Sequence, residues 1–322
     1  MTISPHLSTL AVELFDQGQK VALATVLETW GSSPCPVGAQ LLVCKDKTFY
    51  GSVSGGCVEG AVVLEALDVL SSGECQILEY EVLHSDAFAV GLACGGKIKI
   101  LVEPVGYGQG VSVDLLRELG AAHLARKEIG IHVDLISWER CLIWPKINPE
   151  PFLSDTISLS QNSYYQIQKP QLRLIIIGAV HITQSLAPIA QMAGYHVTII
   201  DPRESFANPI RFPNQELIVD WPEDALSLLE IDPGSALVTL THDPKMDTPA
   251  LQAAVASDAF YIGALGSRRT HAKRIEALAG LGVDPEGISR IKGPVGLDIG
   301  SRSPAEIAIA IMAELTQKLR KP

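Results

Sequence analysis

The sequence predicts an α/β protein with two domains, the second of which is built on a doubly wound parallel sheet. The first observation is length, because 322 residues exceed what one compact core usually holds. The second is composition, since 47% hydrophobic and 19% charged residues are typical of a globular protein. The third is the regular alternation of strand-like and helix-like segments in the second half, because parallel strands need crossover connections.

Three segments are distinguished along the chain. Residues 1–104 form a predicted N-terminal α/β domain, residues 105–170 a connecting segment, and residues 171–322 the second domain. The connecting segment contains an amphipathic helical pattern at 115–127. It ends in a stretch rich in Pro, Ser, Asn and Gln at 148–171, which is typical of a connector.

The first domain is predicted to contain strands and one central helix. Its β-branched and alternating apolar residues predict strands at 21–31, 39–46 and 97–103. The apolar spacing between the last two strands predicts a helix that opens at Cys57 and stops at Gly73. This domain is therefore expected to be an α/β unit.

The second domain alternates continuous apolar runs with amphipathic patterns. Short connections and right-handed crossovers then favour a Rossmann-like sheet. A capping box of Ser303 and Glu306, with Pro304 at the first helical position, predicts the start of a final helix. The predicted strands are 172–179, 195–201, 216–220, 235–243 and 259–267, and the predicted helices before the final one are 181–194, 222–230, 247–256 and 268–282.

Charge and hydropathy argue against several classes of function. The net charge of −11 repels polyanions, so no nucleic-acid partner is expected. No apolar run approaches the roughly 20 residues of a spanning helix, and the amino terminus lacks the order of a secretory signal. We therefore expect no membrane association and a cytoplasmic location. The cysteines, which show neither a disulfide framework nor zinc-site spacing, stand at positions 35, 44, 57, 75, 94 and 141.

Ligands of doubly wound sheets bind at the loops that follow the strands. The first such loop keeps Gly178 of a dinucleotide fingerprint but has Val180 and Thr183 where the next two glycines would stand. Asp201 ends the second strand, where an acid commonly binds a ribose hydroxyl, and Arg203 follows it. The alternative is that Asp201 only caps a turn. NAD(P) is therefore the less favoured ligand.

The loop GSRR is the better candidate for binding a phosphate. Ser267 is expected to cap the helix that follows Gly266, so that free amide groups, the helix dipole and the Arg268 guanidinium converge on an anion. Arg274, further along the helix, is expected to be a solvated charge. Two histidines join the candidates because they follow strands at the same edge, and these are His181 and His242.

Two glycine-flanked cysteines mark the first domain. Cys57 follows Gly55 and Gly56 and is expected at a helix amino terminus, where the dipole and free amides stabilise a thiolate for nucleophilic attack or soft-metal binding. The alternative is that both cysteines are small buried residues whose glycines only make turns. The repetition of the pattern favours a function. The second loop consists of Cys94, Gly95 and Gly96.

Five long motifs stand in one chain, and they are ETWGSSPCPVGAQLLV, GSVSGGCVEG, GLACGGKIKILVEP, GALGSRRTHAKR and GPVGLDIGSRSPAEIAIAI. Together they resemble the XdhC/CoxI family, the accessory proteins that mature xanthine dehydrogenase and related molybdenum hydroxylases. The family's cysteine-bearing loops correspond to 54–57 and 94–96. Its Gly-Ala-Gly-His motif corresponds to 178–181, with Val180 as a departure.

This resemblance implies an accessory factor that binds the molybdenum cofactor, protects its sulfurated form and delivers it to an apo xanthine dehydrogenase-type molybdenum hydroxylase. A cysteine desulfurase is implied as a further partner. We expect the cofactor's phosphate near Ser267 and Arg268 and its molybdenum near Cys57 or Cys94. The alternatives are an NAD(P)-dependent oxidoreductase, a sulfur transferase acting on molybdenum and a nucleotide-sensing module. The apolar helix at 303–316 makes a homodimer the expected assembly.

Overall fold

The computed structural model divides the chain into two compact units, with the division between Pro170 and Gln171. Cys94 and Gly95 lie outside the residues that the structure describes. Those residues are 7–30, 35–81, 96–153, 157–160 and 162–321.

A five-stranded antiparallel sheet with a covering helix forms the first part of the N-terminal unit. Its elements are α1 (Leu7–Asp16), β1 (Val21–Trp30), β2 (Gln40–Cys44), β3 (Phe49–Gly51), α2 (Glu59–Ser72), β4 (Gln76–Glu81) and β5 (Lys97–Pro104). The strand order is β3-β2-β1-β5-β4. Helix α2 ends at Gly73, whose left-handed backbone (φ 77°) and amide close the last turn. The strands predicted for this region are confirmed, and the predicted helix is present but begins at Glu59 rather than at Cys57.

Strand β1 lies in the centre of this sheet and separates two hydrophobic clusters. Alternate side chains of a strand point to opposite faces of a sheet. Ala22 and Val26 pack with Val62 of α2 on one face. Leu23 and Leu27 belong to the cluster on the other face. The sheet is therefore covered on both sides.

Residues 105–170 belong to the same unit and carry a helix and a second antiparallel sheet. The elements are α3 (Val113–Leu124), β6 (Ile129–Asp134), β7 (Arg140–Ile143), a 3₁₀ turn (Glu150–Leu153), β8 (Ile157–Leu159) and β9 (Ser163–Gln168), with strand order β7-β6-β9-β8. This is more structure than the predicted connecting segment has. The polar composition was misleading because β9 alternates buried Tyr164 with half-exposed Tyr165, and a strand with one solvated face is rich in polar residues.

A buried ion pair joins the two sheets of the N-terminal unit. The Nη2 atom of Arg140 on β7 lies 2.6 Å from Oε2 of Glu103 on β5, and each side chain is only 4% exposed. The Nη1 atom of Arg140 also donates hydrogen bonds to the carbonyls of Gln109 and Trp138. Burial raises the pKa of Glu103, and the adjacent Arg140 opposes that rise. The second sheet is thereby fixed to the first.

The C-terminal unit is a six-stranded parallel sheet with helices on both faces, which confirms the predicted Rossmann-like fold. Its elements are β10 (Arg173–Ile177), α4 (His181–Met192), β11 (His196–Ile200), β12 (Glu216–Ile218), α5 (Pro222–Leu228), β13 (Ser235–Thr239), α6 (Pro244–Val255), β14 (Tyr261–Ala264), α7 (Arg268–Gly280), α8 (Pro285–Ser289), β15 (Ile291–Lys292) and α9 (Pro304–Arg320). The strand order is β12-β11-β10-β13-β14-β15, with parallel pairing throughout.

Alternate side chains of this sheet pack into two hydrophobic cores, one on each face of the sheet. Leu174 and Ile176 of β10 pack towards α4 and α9, whereas Ile175 and Ile177 pack towards α5, α6 and α7. The predicted capping box of α9 is present, with the Glu306 carboxylate accepting from the amide of Ser303. In the parts of the chain that the structure describes, no helix is both long and apolar enough to span a membrane.

Candidate functional site

The first candidate site lies at the carboxyl edge of the parallel sheet in the C-terminal unit. The strand order reverses between β10 and β13, and ligands of such sheets bind beside that reversal. The loops that follow β10, β11, β13 and β14 carry all the candidate residues that the sequence predicts in this unit. The loop after β10 and the loop after β13 touch, because a Cβ atom on Gly178 would collide with Cγ2 of Thr241.

The turn after β10 keeps the first glycine of the dinucleotide-binding fingerprint. It lacks the second and third glycines, of which the second would leave the backbone open to a pyrophosphate. Gly178 has φ 107°, a left-handed conformation that favours glycine. The hydroxyl of Thr183 donates to the Gly178 carbonyl at 2.5 Å. His181 is the first residue of α4 and Val180 precedes it as a cap residue without a side-chain hydrogen bond. His181 therefore stands where the sequence predicted it, at the start of the first crossover helix.

Asp201 braces this turn rather than presenting a free carboxylate. It is fully buried and accepts hydrogen bonds from the Ala179 amide at 2.8 Å and from the amide, Nε and Nη2 of Arg203 at 3.0, 2.8 and 2.6 Å. Burial acts to raise the pKa of Asp201, but the hydrogen bonds from Arg203 and Ala179 lower it below its usual value. Four donors match the acceptor capacity of a carboxylate. A ribose hydroxyl would have to displace one of them, so this geometry favours the turn-capping alternative.

His242 occupies a strained position in the loop after β13. It is exposed and has φ 62°, which is uncommon for a residue other than glycine and is often found at functional sites. The hydroxyl of the neighbouring Thr241 makes two hydrogen bonds. It donates to the Asp247 carboxylate at 2.6 Å and accepts from the Asp243 amide at 3.1 Å. The buried carboxylate of Asp247 thus sets the conformation of the His242 loop.

The expectation that Arg274 is a solvated charge is wrong. Its side chain is 8% exposed, and its Nη2 atom lies 3.5 Å from Oδ2 of Asp247 and donates to the Leu265 carbonyl at 2.9 Å. Burial raises the pKa of Asp247, while Thr241 and then Arg274 oppose that rise. Arg274 therefore links α6, α7 and the loop after β14. Helical periodicity could not reveal this, because an arginine on a polar helix face has the same pattern whether or not a buried acid lies beneath it.

The loop after β14 presents the open helix end that the sequence predicts. Gly266 has φ 144° and lies against the Thr270 side chain. The Ser267 hydroxyl accepts from the Thr270 amide at 3.1 Å and caps α7. Arg268 and Arg269 are the first two residues of the helix and are exposed. The first amides of a helix have no intrahelical partner, so this end offers amide and guanidinium donors to an anion.

The second candidate site is the loop that carries Cys57 in the N-terminal unit. This loop wraps around the buried carboxylate of Glu59. Oε1 accepts from the Ser52 hydroxyl at 2.5 Å and from the amides of Val53 and Ser54 at 3.1 and 2.8 Å. Oε2 accepts from the Ser54 hydroxyl and, at 2.9 Å, from the Gly56 amide. Burial acts to raise the pKa of Glu59, but the hydrogen bonds of Ser52 and Ser54 lower it to about 2.

Cys57 itself does not open the helix. Helix α2 begins at Glu59 with Val58 as its cap residue, and the loop amides bind the Glu59 carboxylate instead of the thiol. The thiol is half-buried and packs against the apolar cluster beneath α2. The left-handed backbones of Gly55 and Gly56 (φ 70° and 111°) make the turn that delivers it.

Another cysteine, Cys35, lies beside the loop that carries Cys57. The thiol of Cys35 donates to the Ser52 hydroxyl, with Sγ 3.5 Å from Oγ. Ser52 therefore links Cys35 to the Glu59 carboxylate. Gly96 is half-buried and directly precedes β5. The structure does not describe Cys94 and Gly95, so the comparison between the two cysteine loops stays a prediction.

Known proteins are similar to this chain over nearly its whole length. Residues 14–81 match the model described as XdhC and CoxI family, and residues 174–315 match the model described as XdhC Rossmann domain. The molybdenum cofactor insertion chaperone PaoD of Escherichia coli (strain K12) is 32% identical over 95% of this chain and 85% of that protein. A probable xanthine dehydrogenase subunit of Bacillus subtilis (strain 168) is 28% identical over 97% of each.

A solved structure has the same fold over both units. It is described as the crystal structure of a xanthine dehydrogenase from Bacillus halodurans. The TM-score is 0.82 with 26% identity, over 97% of this chain and 95% of that one.

Replacement of Glu59 by glutamine should lower the free energy of unfolding at neutral pH. The variant should also lack the part of that free energy that is lost on acidification. The pKa of Glu59 falls from 4.5 to about 2 on folding, so its contribution is complete above pH 4.5 and is lost as the pH falls through about 2. Urea unfolding at pH 7 should show Glu59→Gln less stable by about 1.5–3 kcal/mol, the range for hydrogen bonds to a charged group. At pH 2.5 to 3 the difference should shrink. A difference that is constant from pH 7 to 2.5 would contradict the assignment.

Proposed function

The chain belongs to the XdhC and CoxI family, and from this premise we propose that it is a maturation chaperone that binds the molybdenum cofactor as cargo. It delivers the cofactor to a xanthine dehydrogenase-type molybdenum hydroxylase. The observation that carries the proposal is the near full-length similarity to a protein named as a molybdenum cofactor insertion chaperone. The chemistry of the two candidate sites supports it, because this cargo has a hard phosphate and a soft, sulfur-bound metal.

The amino terminus of α7 binds the phosphate of the cargo in this proposal. An anion at this position gains the helix dipole and the unpaired amides of the first turn. The guanidinium of Arg268 adds charge-assisted hydrogen bonds. Ser267 has its hydroxyl engaged with Thr270, so it holds the helix end in shape while its neighbours bind. Gly266 keeps a side chain out of the approach, and His242 is proposed to contact the same ligand from the loop after β13.

The loop of Cys57 supplies the soft donor in this proposal. Thiolates are the protein groups that a soft metal centre favours. Because Glu59 already holds Ser54, Gly55 and Gly56 in a turn, little ordering of the loop is needed when the cargo binds. Cys94, with Gly95 and Gly96, is proposed as a second donor. Cys35 joins the candidates because its thiol reaches Ser52.

The finer parts of the proposal concern the sulfurated form of the cofactor. We propose that the chain shields the terminal sulfur from water and receives its cargo from a complex with a cysteine desulfurase. A homodimer in the cytoplasm is proposed as the working form. The chain itself then binds and positions without turnover, and transfer of sulfur onto molybdenum by its own thiols is the alternative activity.

A nicotinamide oxidoreductase or a nucleotide sensor fits the observed edge of the sheet less well. Both need an acid for the ribose hydroxyls and an open turn for the pyrophosphate. The Asp201 carboxylate already accepts hydrogen bonds from Arg203 and Ala179. Gly178 is pressed against Thr241, and Val180 stands where the second fingerprint glycine would be. Gly178, His181, Asp201 and Arg203 therefore support the proposed ligand by shaping the edge more than by touching it.

The affinity for the molybdenum cofactor should depend on the proposed contact between Arg268 and the phosphate. In anaerobic titrations of the purified full chain with molybdenum cofactor, Arg268→Gln should weaken binding by roughly 10- to 100-fold, because a hydrogen bond to a charged group contributes about 1.5–3 kcal/mol. The control is Arg320→Gln, which removes the same charge at the last residue of α9. NAD and a nucleoside triphosphate should raise the thermal midpoint less than the cofactor does. Unchanged affinity in Arg268→Gln would reject the phosphate placement.

Retention of the metal should depend on Cys57. Cys57→Ala is expected to lower the molybdenum content retained after gel filtration by about tenfold or more, which is the order seen when groups around a metal are removed. Cys141→Ala, an exposed cysteine of the same unit, should retain as much as the unaltered chain. Equal retention by both variants, with unchanged thermal midpoints, would show that Cys57 does not hold the cargo.

A further inference from the structure

A second arrangement of reactive side chains lies on the four-stranded sheet of the N-terminal unit. His132 on β6 is directly opposite Cys141 on β7 and directly opposite Tyr165 on β9. The Sγ atom of Cys141 lies 3.9 Å from Nδ1 of His132. The imidazole ring is stacked on the Tyr165 ring, with centroids 4.5 Å apart and planes inclined by 25°. Three neighbouring strands therefore bring a thiol, a base and an aromatic ring into one row.

This row faces away from the core of its unit. Ile131 and Val133, which alternate with His132 along β6, are 6% and 0% exposed and belong to the hydrophobic cluster. Side chains of adjacent strand residues point to opposite faces, so His132 lies on the outer face. Cys141 is exposed. A molecule in solution therefore reaches the thiol without any movement of the sheet.

The geometry matches the general form of an activated nucleophile. Such sites have a nucleophile within hydrogen-bond reach of a base, and a third group that orients the base. Here the stack on Tyr165 fixes the plane of the His132 ring and keeps Nδ1 near the sulfur. Asp134 lies two residues along β6, on the same face. Its pKa is lowered by the amides of Ser137 and Ile136 and, to a smaller extent, by the charge of His132, so an imidazolium at this position has an anion nearby.

Two other cysteines of the same unit, the half-buried Cys75 and the buried Cys44, differ in their surroundings. Burial raises the pKa of Cys75 to about 11, with a further contribution from Glu103. Burial also raises the pKa of Cys44. Only a thiolate attacks a disulfide, so both are poor nucleophiles at neutral pH. They serve as internal references for the exposed Cys141.

We propose that Cys141 and His132 form a site of reversible S-thiolation by low-molecular-weight disulfides. Nδ1 of His132 accepts the proton of the Cys141 thiol, and the thiolate attacks one sulfur of the disulfide R–S–S–R. The new Cys141–S–S–R bond forms as the old sulfur–sulfur bond breaks, and the leaving thiolate takes the proton from the imidazolium as R–SH. The disulfide is thereby reduced to one thiol while Cys141 enters a mixed disulfide. Excess thiol reverses the reaction. This site is independent of the proposed cargo-binding function.

The test uses the full chain, free of cargo, with oxidised glutathione at pH 7. Samples are quenched with acid, digested, and analysed by mass spectrometry for glutathionylation at each cysteine over time. His132→Phe keeps an aromatic ring against Tyr165 and removes the base, and His132→Gln removes both. Both variants should react at Cys141 at least about tenfold more slowly than the unaltered chain, because a positioned base contributes about 10²-fold or more. Cys75 and Cys44 should react more slowly than Cys141 in all three proteins.

Two controls separate the role of His132 from changes in folding. In 8 M urea, a generic denaturing concentration at which tertiary structure is lost, Cys141 should react at the same rate in all three proteins. Circular dichroism should be unchanged by either substitution under native conditions. Cys141 rates within about threefold of one another in the folded proteins would overturn the proposal, since a base that takes the proton contributes far more than that.

Discussion

The carboxylate of Glu59 determines the shape of the loop that presents Cys57. Its two oxygens accept from two serine hydroxyls and three backbone amides, so that a stretch of glycine and serine with little intrinsic preference is held in one conformation. Hydrogen bonds to a carboxylate are roughly twice as strong as those between neutral groups. Because the acid belongs to the first turn of α2, the loop and the helix form one rigid piece. Cys57 therefore lies on a turn that is already ordered.

The same principle operates at the carboxyl edge of the parallel sheet. Asp201 binds the turn after β10 to Arg203, and Asp247 binds the loop after β13 to Arg274. Asp201 already accepts four hydrogen bonds, and Asp247 is only 2% exposed. The acids instead shape the loops, while the exposed helix end at Arg268 keeps its donors available. In both units, buried acids therefore organise the backbone of the loops that carry the candidate residues.

The sequence predicted the fold well where local patterns carry the information. The alternation of 172–282 gave the parallel sheet, and the caps at Ser267, Ser303 and Gly73 have the predicted geometry. The prediction failed where a residue acts across the fold. Arg274 was misjudged because its partner Asp247 lies on another helix. The structure within residues 105–170 was underestimated because the central pairing of their sheet joins β6 to the distant β9. Glu59 was missed although the signal was present, since an acid three residues after Gly56 reaches back to the amides as in a capping box.

Glu59 orders the Cys57 loop in the ligand-free chain. Amide hydrogen exchange, measured by nuclear magnetic resonance on the ligand-free full chain at pH 7, tests it most directly. The amides of Val53, Ser54 and Gly56 point to the Glu59 carboxylate and should exchange at least about tenfold more slowly than in an unstructured peptide. Exchange of all three at the unstructured rate would contradict the account, because the loop would then be formed only when the ligand binds.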